Sequence, residues 1–168
     1  VYLLLGSIPI TENDKLFNRS ILINPDGDII SIYDKIHMFD ITLKNGESYK
    51  ESDFYSPGSE LKITKVLGHS VGHTICYDLR YPKLYRALAK KGSQIIVVPS
   101  AFTHTTGKAH WHSLIKARAI ENGVFILAPN QWGVNNEKRV TYGHTLIVDP
   151  WGETLAEAED GEMIIAAE

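Results

Sequence analysis

The sequence contains a single cysteine, Cys76. One cysteine cannot form a disulfide within the chain, which favours a reducing, cytoplasmic compartment. No apolar run reaches the roughly 18–20 residues that a membrane-spanning helix needs, so no membrane association is expected. The 17 lysines and arginines do not outnumber the 20 acidic residues. Because no basic stripe is present, nucleic acid is not an expected partner.

The composition is that of one globular domain. Of the 168 residues, 43% are hydrophobic and 22% are charged, which is enough apolar material to build a core. The chain opens inside an apolar stretch at Val1 and closes just after a second one at 163–165. Since domains usually end in polar, exposed segments, we expect residues 1–168 to be a partial domain that is truncated at both ends.

The hydrophobic pattern predicts strands that alternate with two helices. The predicted strands are 1–5, 17–24, 28–33, 61–67, 70–75, 95–99, 124–128, 142–148 and 163–166. One helix is predicted from Pro82 to its cap at Gly92, and the other spans 109–122. A polar loop is expected over 40–59. Several strands are too apolar to face water, so the pattern indicates a layered α/β protein whose helices cover a sheet.

Cys76 lies where the strand 70–75 passes into the first helix. Such a junction pushes a side chain out of the sheet, and a helix N-terminus favours a thiolate and offers N–H groups to an oxyanion. The alternative is a small buried hydrophobic residue, which is the commoner role of a lone cysteine. The position of the junction alone leaves both interpretations open.

Further segments follow one another along nearly the whole chain. They are YDKIHMFD (33–40), Glu51-Ser52 with Ser56-Pro57-Gly58, ICYDLRYP (75–82), PSAF (99–102), TGKAHW (106–111), RAIEN (118–122), YGHT (142–145) and VDPWGE (148–153). In this order and spacing they resemble the motifs of the nitrilase superfamily of carbon-nitrogen hydrolases. Within the superfamily, they are most similar to the branch that contains deaminated glutathione amidase and omega-amidase, and the run EKRVTYGH (137–144) favours the former.

The resemblance implies a fold and an assembly. The fold would be part of a four-layer α-β-β-α sandwich that lacks its N-terminal strands and one helix. Members of this branch pair as dimers through helices near the active site, so a homodimer is expected for the full-length protein. The resemblance implies no cofactor.

The resemblance also implies a thiol amidase mechanism. Cys76 would attack the amide carbonyl, ammonia would leave, and water would release a carboxylic acid from the thioester. Lys35 and the backbone N–H of Tyr77 would stabilise the oxyanion, and Glu51 would orient Lys35 or the water. Outside this context, a solvated cation beside Asp34 and Asp40 is the commoner interpretation of such a lysine, and the motif reverses that preference.

The expected substrate is a small carboxylate-bearing amide such as deaminated glutathione. Arg80 is the candidate for binding its carboxylate, because it follows Cys76 closely. Residues after a buried strand often bind ligands in α/β proteins. We therefore expect the substrate pocket to be lined by Ser100, Ala101, Phe102 and Thr103.

One member of the family's catalytic triad has no counterpart. That glutamate lies N-terminal to the lysine, and the acids ahead of Lys35 are Glu12, Asp14, Asp26, Asp28 and Asp34. None of them stands in the family's sequence context. The isolated chain is therefore expected to be inactive or nearly so, and the alternative is a non-catalytic remnant or binding protein.

The seven histidines do not suggest a metal site by their spacing. They are His37, His69, His73, His104, His110, His112 and His144. His110 and His112 are two apart on a predicted helix and point to different faces, while His69 and His73 fall in a turn and a strand. No metal site is expected. His112 stands where relatives in this branch often carry a glutamate, and the sequence leaves its role open.

Overall fold

The computed structural model describes residues 1–43, 46, 48–136 and 139–168. Their strands are β1 (Leu3–Glu12), β2 (Lys15–Ile23), β3 (Ile29–Asp34), β4 (Asp40–Thr42), β5 (Ser48–Lys50), β6 (Ile63–Val66), β7 (His69–His73), β8 (Ile95–Val97), β9 (Phe125–Ala128), β10 (Trp132–Asn136), β11 (Arg139–Tyr142), β12 (Leu146–Val148) and β13 (Thr154–Glu157). The helices are α1 (Pro82–Lys90) and α2 (His104–Asn122), with short 3-10 turns at Glu51–Asp53 and Cys76–Arg80. Within these ranges, no helix combines the length and the apolar character needed to cross a bilayer.

A six-stranded sheet forms the centre of the structure, in the order β13-β12-β9-β8-β7-β6. Its middle strands β7, β8 and β9 are parallel, and the strands on either side are antiparallel. Helices α1 and α2 cover one face. Tyr85, Leu88, Trp111 and Ile115 of the helices are fully buried there and belong to the same apolar cluster as Ile126 of β9.

A three-stranded sheet, in the order β1-β2-β3, contacts strands β6 and β7 of the central sheet through β3. Thr64 Oγ1 of β6 donates a hydrogen bond to Ser31 Oγ of β3 at 2.6 Å. Tyr33 of β3 is 2% exposed, and its ring lies 6.5 Å from that of His73. Helices on one side of a sheet and a second sheet against it are three of the layers of an α-β-β-α sandwich, so the predicted fold class, part of such a sandwich, is confirmed.

The two predicted hairpins are confirmed. Strands β2 and β3 pair antiparallel around a turn in which the N–H of Gly27 donates to the carbonyl oxygen of Asn24 at 3.1 Å. Strands β6 and β7 pair around Leu67 and Gly68, which both have positive φ. Positive φ at Gly68 is expected of the short turns that join antiparallel strands.

Several predictions of local structure are wrong. The first strand is not buried: it extends to Glu12 as the edge of its sheet, and Leu3 is 52% exposed. The expected loop at 40–59 instead contains β4, β5 and a 3-10 turn, although Lys44, Asn45 and Glu47 lie outside the described residues. Short polar strands of three residues carry too little hydrophobic alternation to be detected in a sequence.

The C-terminal half also departs from the prediction. Helix α2 begins at His104, directly after Thr103 and five residues before the predicted start. Its first turn is polar, so the hydrophobic pattern used for the prediction did not include it. Residues 163–166 form no strand. On the side away from β9, strand β12 pairs with β13, which follows the Asp149–Gly152 turn. Strand β10 was not predicted.

Candidate active site

Cys76 lies at the end of the central parallel strands, where β7 gives way to a 3-10 turn. Its φ is +48°, a left-handed conformation that is uncommon for residues other than glycine. Its backbone N–H donates to the carbonyl oxygen of Pro99 at 3.0 Å, which joins the turn to the chain after β8. A non-glycine residue held in this conformation often marks a functional site, since the surrounding structure must compensate for the strain.

Asp78 connects this turn to the segment that carries the lysine. Its side chain is fully buried, and Oδ2 accepts hydrogen bonds from the N–H of Ile75 at 2.9 Å and from the hydroxyl of Tyr33 at 2.7 Å. Oδ1 accepts the backbone N–H of His37 at 3.0 Å and contacts its Nδ1 at 2.7 Å. Burial, together with the negative charge of Asp78, raises the pKa of Tyr33. Tyr33 therefore remains a neutral donor to this carboxylate.

Lys35 is a buried cation with a carboxylate partner. It is 2% exposed, and its Nζ forms a short ion pair with Oε2 of Glu51. The same oxygen accepts the N–H of Phe39 at 2.7 Å, and the other carboxylate oxygen accepts Nδ2 of Asn18 at 3.1 Å. A buried charge needs an oppositely charged partner, and the pair needs further hydrogen bonds. Glu51 is the partner of Lys35, and hydrogen bonds from Asn18 and Phe39 hold its carboxylate.

Gly58 packs directly against the backbone that carries the lysine. Its N–H donates to the carbonyl oxygen of Lys35 at 2.8 Å. A Cβ at this position would lie 2.3 Å from the carbonyl oxygen of Asp34, so only glycine permits the approach. The segment Ser56-Pro57-Gly58 therefore has a structural role behind the lysine.

A cavity of about 490 Å³ collects most of the residues that the sequence singled out. The predicted residues that line it are Lys35, Glu51, Cys76, Tyr77, Arg80, Ala101, Phe102 and Thr103. Ser100 does not line it. Its hydroxyl donates to the carbonyl oxygen of Val98 at 3.0 Å, and its backbone N–H donates to that of Pro129 at 2.9 Å, so Ser100 extends the sheet.

Other lining residues were not among the predicted site residues, although Phe39, Thr106 and Arg139 lie within the quoted family motifs. Asn18 reaches the cavity from β2, Phe39 from the lysine segment, Thr106 from the first turn of α2 and Arg139 from β11. Nη2 of Arg139 donates to the carbonyl oxygen of Ala101 at 3.2 Å. These residues are distant in sequence and belong to different elements, so only the folded chain places them together.

The cavity is electropositive. Four cationic side chains line it, namely Lys35, Lys50, Arg80 and Arg139, whereas Glu51 is the carboxylate among the described lining residues. The guanidinium of Arg80 lies over the rings of Tyr77 and Phe102, at 5.8 and 5.6 Å from their centroids. Burial lowers the pKa of Arg80, because a desolvated cation lacks its water shell. Such a cavity suits an anionic ligand.

The whole chain, residues 1–168, matches the family described as Carbon-nitrogen hydrolase, and the chain belongs to this family. It is 43% identical over 164 residues to deaminated glutathione amidase of Yersinia enterocolitica, an alignment that covers 95% of this chain and 57% of the relative. The predicted membership of the nitrilase superfamily, in the branch of that amidase, is confirmed.

Two solved structures share the fold. The NitFhit protein of C. elegans superposes with a TM-score of 0.89 at 36% identity, covering 95% of this chain and 40% of that one. An amidase from Nesterenkonia sp. AN1 superposes with a TM-score of 0.81 at 25% identity, covering 94% and 57% respectively. That amidase was solved with the acetamide moiety of fluoroacetamide covalently attached to its active-site cysteine. The chain thus spans little more than half the length of the amidases it matches.

Proposed function

We propose that the chain carries the catalytic cysteine of an amidase that hydrolyses a small carboxylate-bearing amide through a thioester. The observation that supports this most strongly is that Cys76, Lys35 and Glu51 line the same cavity. Each comes from a different segment, and Asp78 joins the two segments that hold Cys76 and Lys35. An isolated structural cysteine would need none of these features.

In the first step, the Sγ of Cys76 forms a bond to the amide carbonyl carbon, and the thiol proton passes to a base. The carbonyl oxygen gains the negative charge. Lys35 lies in the cavity as a fixed cation for that charge, and the N–H of Tyr77, in the first turn of the 3-10 segment, is the proposed second donor. The C–N bond then breaks, and the leaving nitrogen takes a proton to depart as ammonia or an amine.

In the second step, water attacks the thioester carbon. The water gives up a proton, the C–S bond breaks, and the Cys76 thiol and a carboxylic acid are released. Glu51, held by Lys35, Phe39 and Asn18, has a fixed position from which to orient Lys35 or the water.

The proton transfers limit the rate of the 168-residue chain. Glu51 is the carboxylate among the described lining residues, and Lys35 already engages it. Loss of a general base typically costs about 10²–10⁴ in rate, so we expect the chain alone to turn over slowly or not at all. The second candidate function is that of a binding protein, which holds the anionic ligand without hydrolysing it. It is favoured by the same observation, that the carboxylate among the described lining residues is already paired with Lys35.

The test compares the 168-residue chain with the longest reading frame that contains it. Each is assayed for the acid product from deaminated glutathione and from a primary 2-oxo-acid amide, with ammonia measured for the latter. We expect the longer form to be the faster by about 10²-fold or more, and Cys76→Ala to abolish release. Full activity in Cys76→Ala would mean that the nucleophile is another group.

Mass spectrometry of the protein distinguishes the amidase from the binding protein. A chain that forms the thioester gains the mass of the acyl group on Cys76 after incubation with an activated ester. Binding of the amide by calorimetry, without that adduct and without product from the longer form, would support the binding protein.

We further propose a homodimer for the full-length protein, through helices near the active site. Ile120 on α2 is 57% exposed, and Trp151 is 81% exposed. The Gly152 position beside Trp151 approaches the side chain of Ile120, so the two apolar groups belong to one surface region. Light scattering of the full-length protein tests this, and Ile120→Lys should shift the mass toward a monomer.

The cytoplasmic compartment, expected from the single cysteine, also stays a proposal.

A further inference from the structure

Three potential metal ligands that are far apart in the sequence meet outside the Cys76 cavity. His112 lies on α2, His144 lies between β11 and β12, and Glu157 ends β13. Their ligand atoms all lie within 4.8 Å of one another. Oε1 of Glu157 is 2.8 Å from Nε2 of His112 and also 2.8 Å from Nδ1 of His144.

We propose that His112, His144 and Glu157 form a binding site for a divalent transition-metal ion, with zinc as the best fit. Two imidazoles and one carboxylate are a ligand set that tetrahedral zinc accepts at bond lengths of about 2.0–2.2 Å. At those lengths, neighbouring ligand atoms stand about 3.3 Å apart. The two 2.8 Å distances from Glu157 therefore need a small outward movement, and the two imidazole nitrogens, which lie within 4.8 Å of each other, must reach the same separation. The three side chains are partly exposed and can make these adjustments.

The backbone of His144 is held in place for this role. Its φ is +56°, in the left-handed region, and its carbonyl oxygen accepts Nε1 of the fully buried Trp111 at 2.7 Å. The ring of Tyr142 stacks on the His144 ring with centroids 4.4 Å apart. These contacts fix the direction of the imidazole before any ion arrives, which lowers the cost of binding.

A second carboxylate stands behind His144. Oδ1 of Asp160 lies 3.9 Å from Nε2 of His144, on the ring edge opposite the proposed ligand atom, and it accepts Nε1 of Trp132 at 3.2 Å. A histidine that binds a metal through one nitrogen usually directs the other toward a carboxylate, which sets the tautomer and strengthens the ligand. Asp160 is placed for that contact.

The site is open to ions and its surroundings are acidic. His144 and Glu157 line an open cavity of about 530 Å³, whose other members are Ala158, Glu159 and Asp160. Three carboxylates at one opening attract a cation. The three protein ligands leave a fourth position for water.

The spacing of these residues in the sequence does not predict a metal site, because it matches no local zinc motif. The sequence also leaves the role of His112 open. In the folded chain, His112 has a specific partner in Glu157, and an ion there would tie α2 to the edge strand β13.

The experiment is a calorimetric titration of metal-free protein with Zn²⁺, performed in a Cys76→Ala background so that the thiol cannot contribute. We expect one saturable site per chain. His112→Gln and Glu157→Gln should each weaken binding at least about tenfold, because even the loss of a supporting contact to a ligand costs that much. His110→Gln is the matched control, since it removes an exposed histidine of the same helix and should leave the affinity unchanged.

Cobalt gives an independent readout. Co²⁺ bound to the Cys76→Ala protein should show the intense visible bands of a four-coordinate ion, and His112→Gln should lose them while retaining its circular dichroism. Saturable binding that is equally tight in His112→Gln and Glu157→Gln would overturn the proposal. The absence of saturable binding would do the same and would leave a hydrogen-bonded cluster.

Discussion

The carboxylate of Asp78 accepts the backbone N–H of His37 at 3.0 Å across 41 positions of sequence. Asp78 lies two residues after Cys76, and His37 lies two residues after Lys35. One buried side chain thereby determines how the nucleophile's turn and the lysine's segment are placed relative to each other. Asp78 is a positioning residue, since it does not line the cavity itself.

Asp78→Asn should destabilise the chain and weaken catalysis. An amide has only one acceptor oxygen, so it cannot serve the Ile75 and His37 amides and the Tyr33 hydroxyl together. A buried donor left without a partner costs about 1–3 kcal/mol, which urea unfolding would measure. Because the relative placement of Cys76 and Lys35 is affected, kcat of the longer form should fall more than KM rises. Asp53→Asn, at an exposed position in the 3-10 turn Glu51–Asp53, is the control. Equal losses of stability and kcat in both variants would contradict the positioning role.

Glycine in place of the nucleophile should give a more stable fold than alanine at the same position. Cys76 has a φ of +48°, and a left-handed conformation costs a residue with a Cβ roughly 1–2 kcal/mol. Cys76→Gly relieves this strain and Cys76→Ala retains it. We therefore expect Cys76→Gly to unfold with a free energy about 1 kcal/mol higher than Cys76→Ala, although both are inactive. If alanine proved the more stable, the left-handed geometry at this turn would be refuted.

Arg80 should distinguish anionic from neutral amides. Its guanidinium lies against Tyr77 and Phe102 in the cavity and is partly desolvated. A hydrogen bond to a charged group contributes about 1.5–3 kcal/mol, so Arg80→Gln should raise KM for a carboxylate-bearing amide about 10–100-fold. KM for a neutral amide of similar size should barely change. The comparison is made by steady-state kinetics on the longer form, and an equal effect on both amides would assign the carboxylate to another cation.

His73 should make stability fall in acid. Burial, together with the charge of Lys62, lowers the pKa of His73 to about 4 from an ordinary value of 6.5. Between these two values the unfolded chain binds a proton that the folded chain excludes, so stability declines as the pH falls through this window. A displacement of this size corresponds to about 3 kcal/mol once the pH reaches the lower value. Urea unfolding from pH 7 to pH 4 measures it, and His73→Asn should show a flatter dependence. Identical pH profiles would exclude His73 as the source.

The candidate site was predictable where its chemistry lies in contiguous segments. The segments around Lys35 and Cys76 and the Ser56-Pro57-Gly58 turn were identified from the order and type of their residues. Ser100 was placed in the pocket because it follows a strand, but the sheet continues through it by the bridge to Asn130. Whether the residue after a strand stays paired in the sheet depends on the adjacent chain segment, which lies elsewhere in the sequence.

By itself, the sequence determined the hairpins and the alternation of strands with two helices, because a turn or a helix depends on residues a few positions apart. Its resemblance to a known family indicated the class of protein and the nucleophile candidate. The resemblance left open whether Glu51 holds Lys35 or the water, and the tertiary structure pairs it with Lys35. Only the tertiary structure decided the contribution of Asn18 and Arg139 to the cavity and the meeting of two histidines with Glu157. Those residues belong to distant chain segments that burial of a shared core brings together. Their separation in the sequence therefore does not indicate how close they lie in the fold.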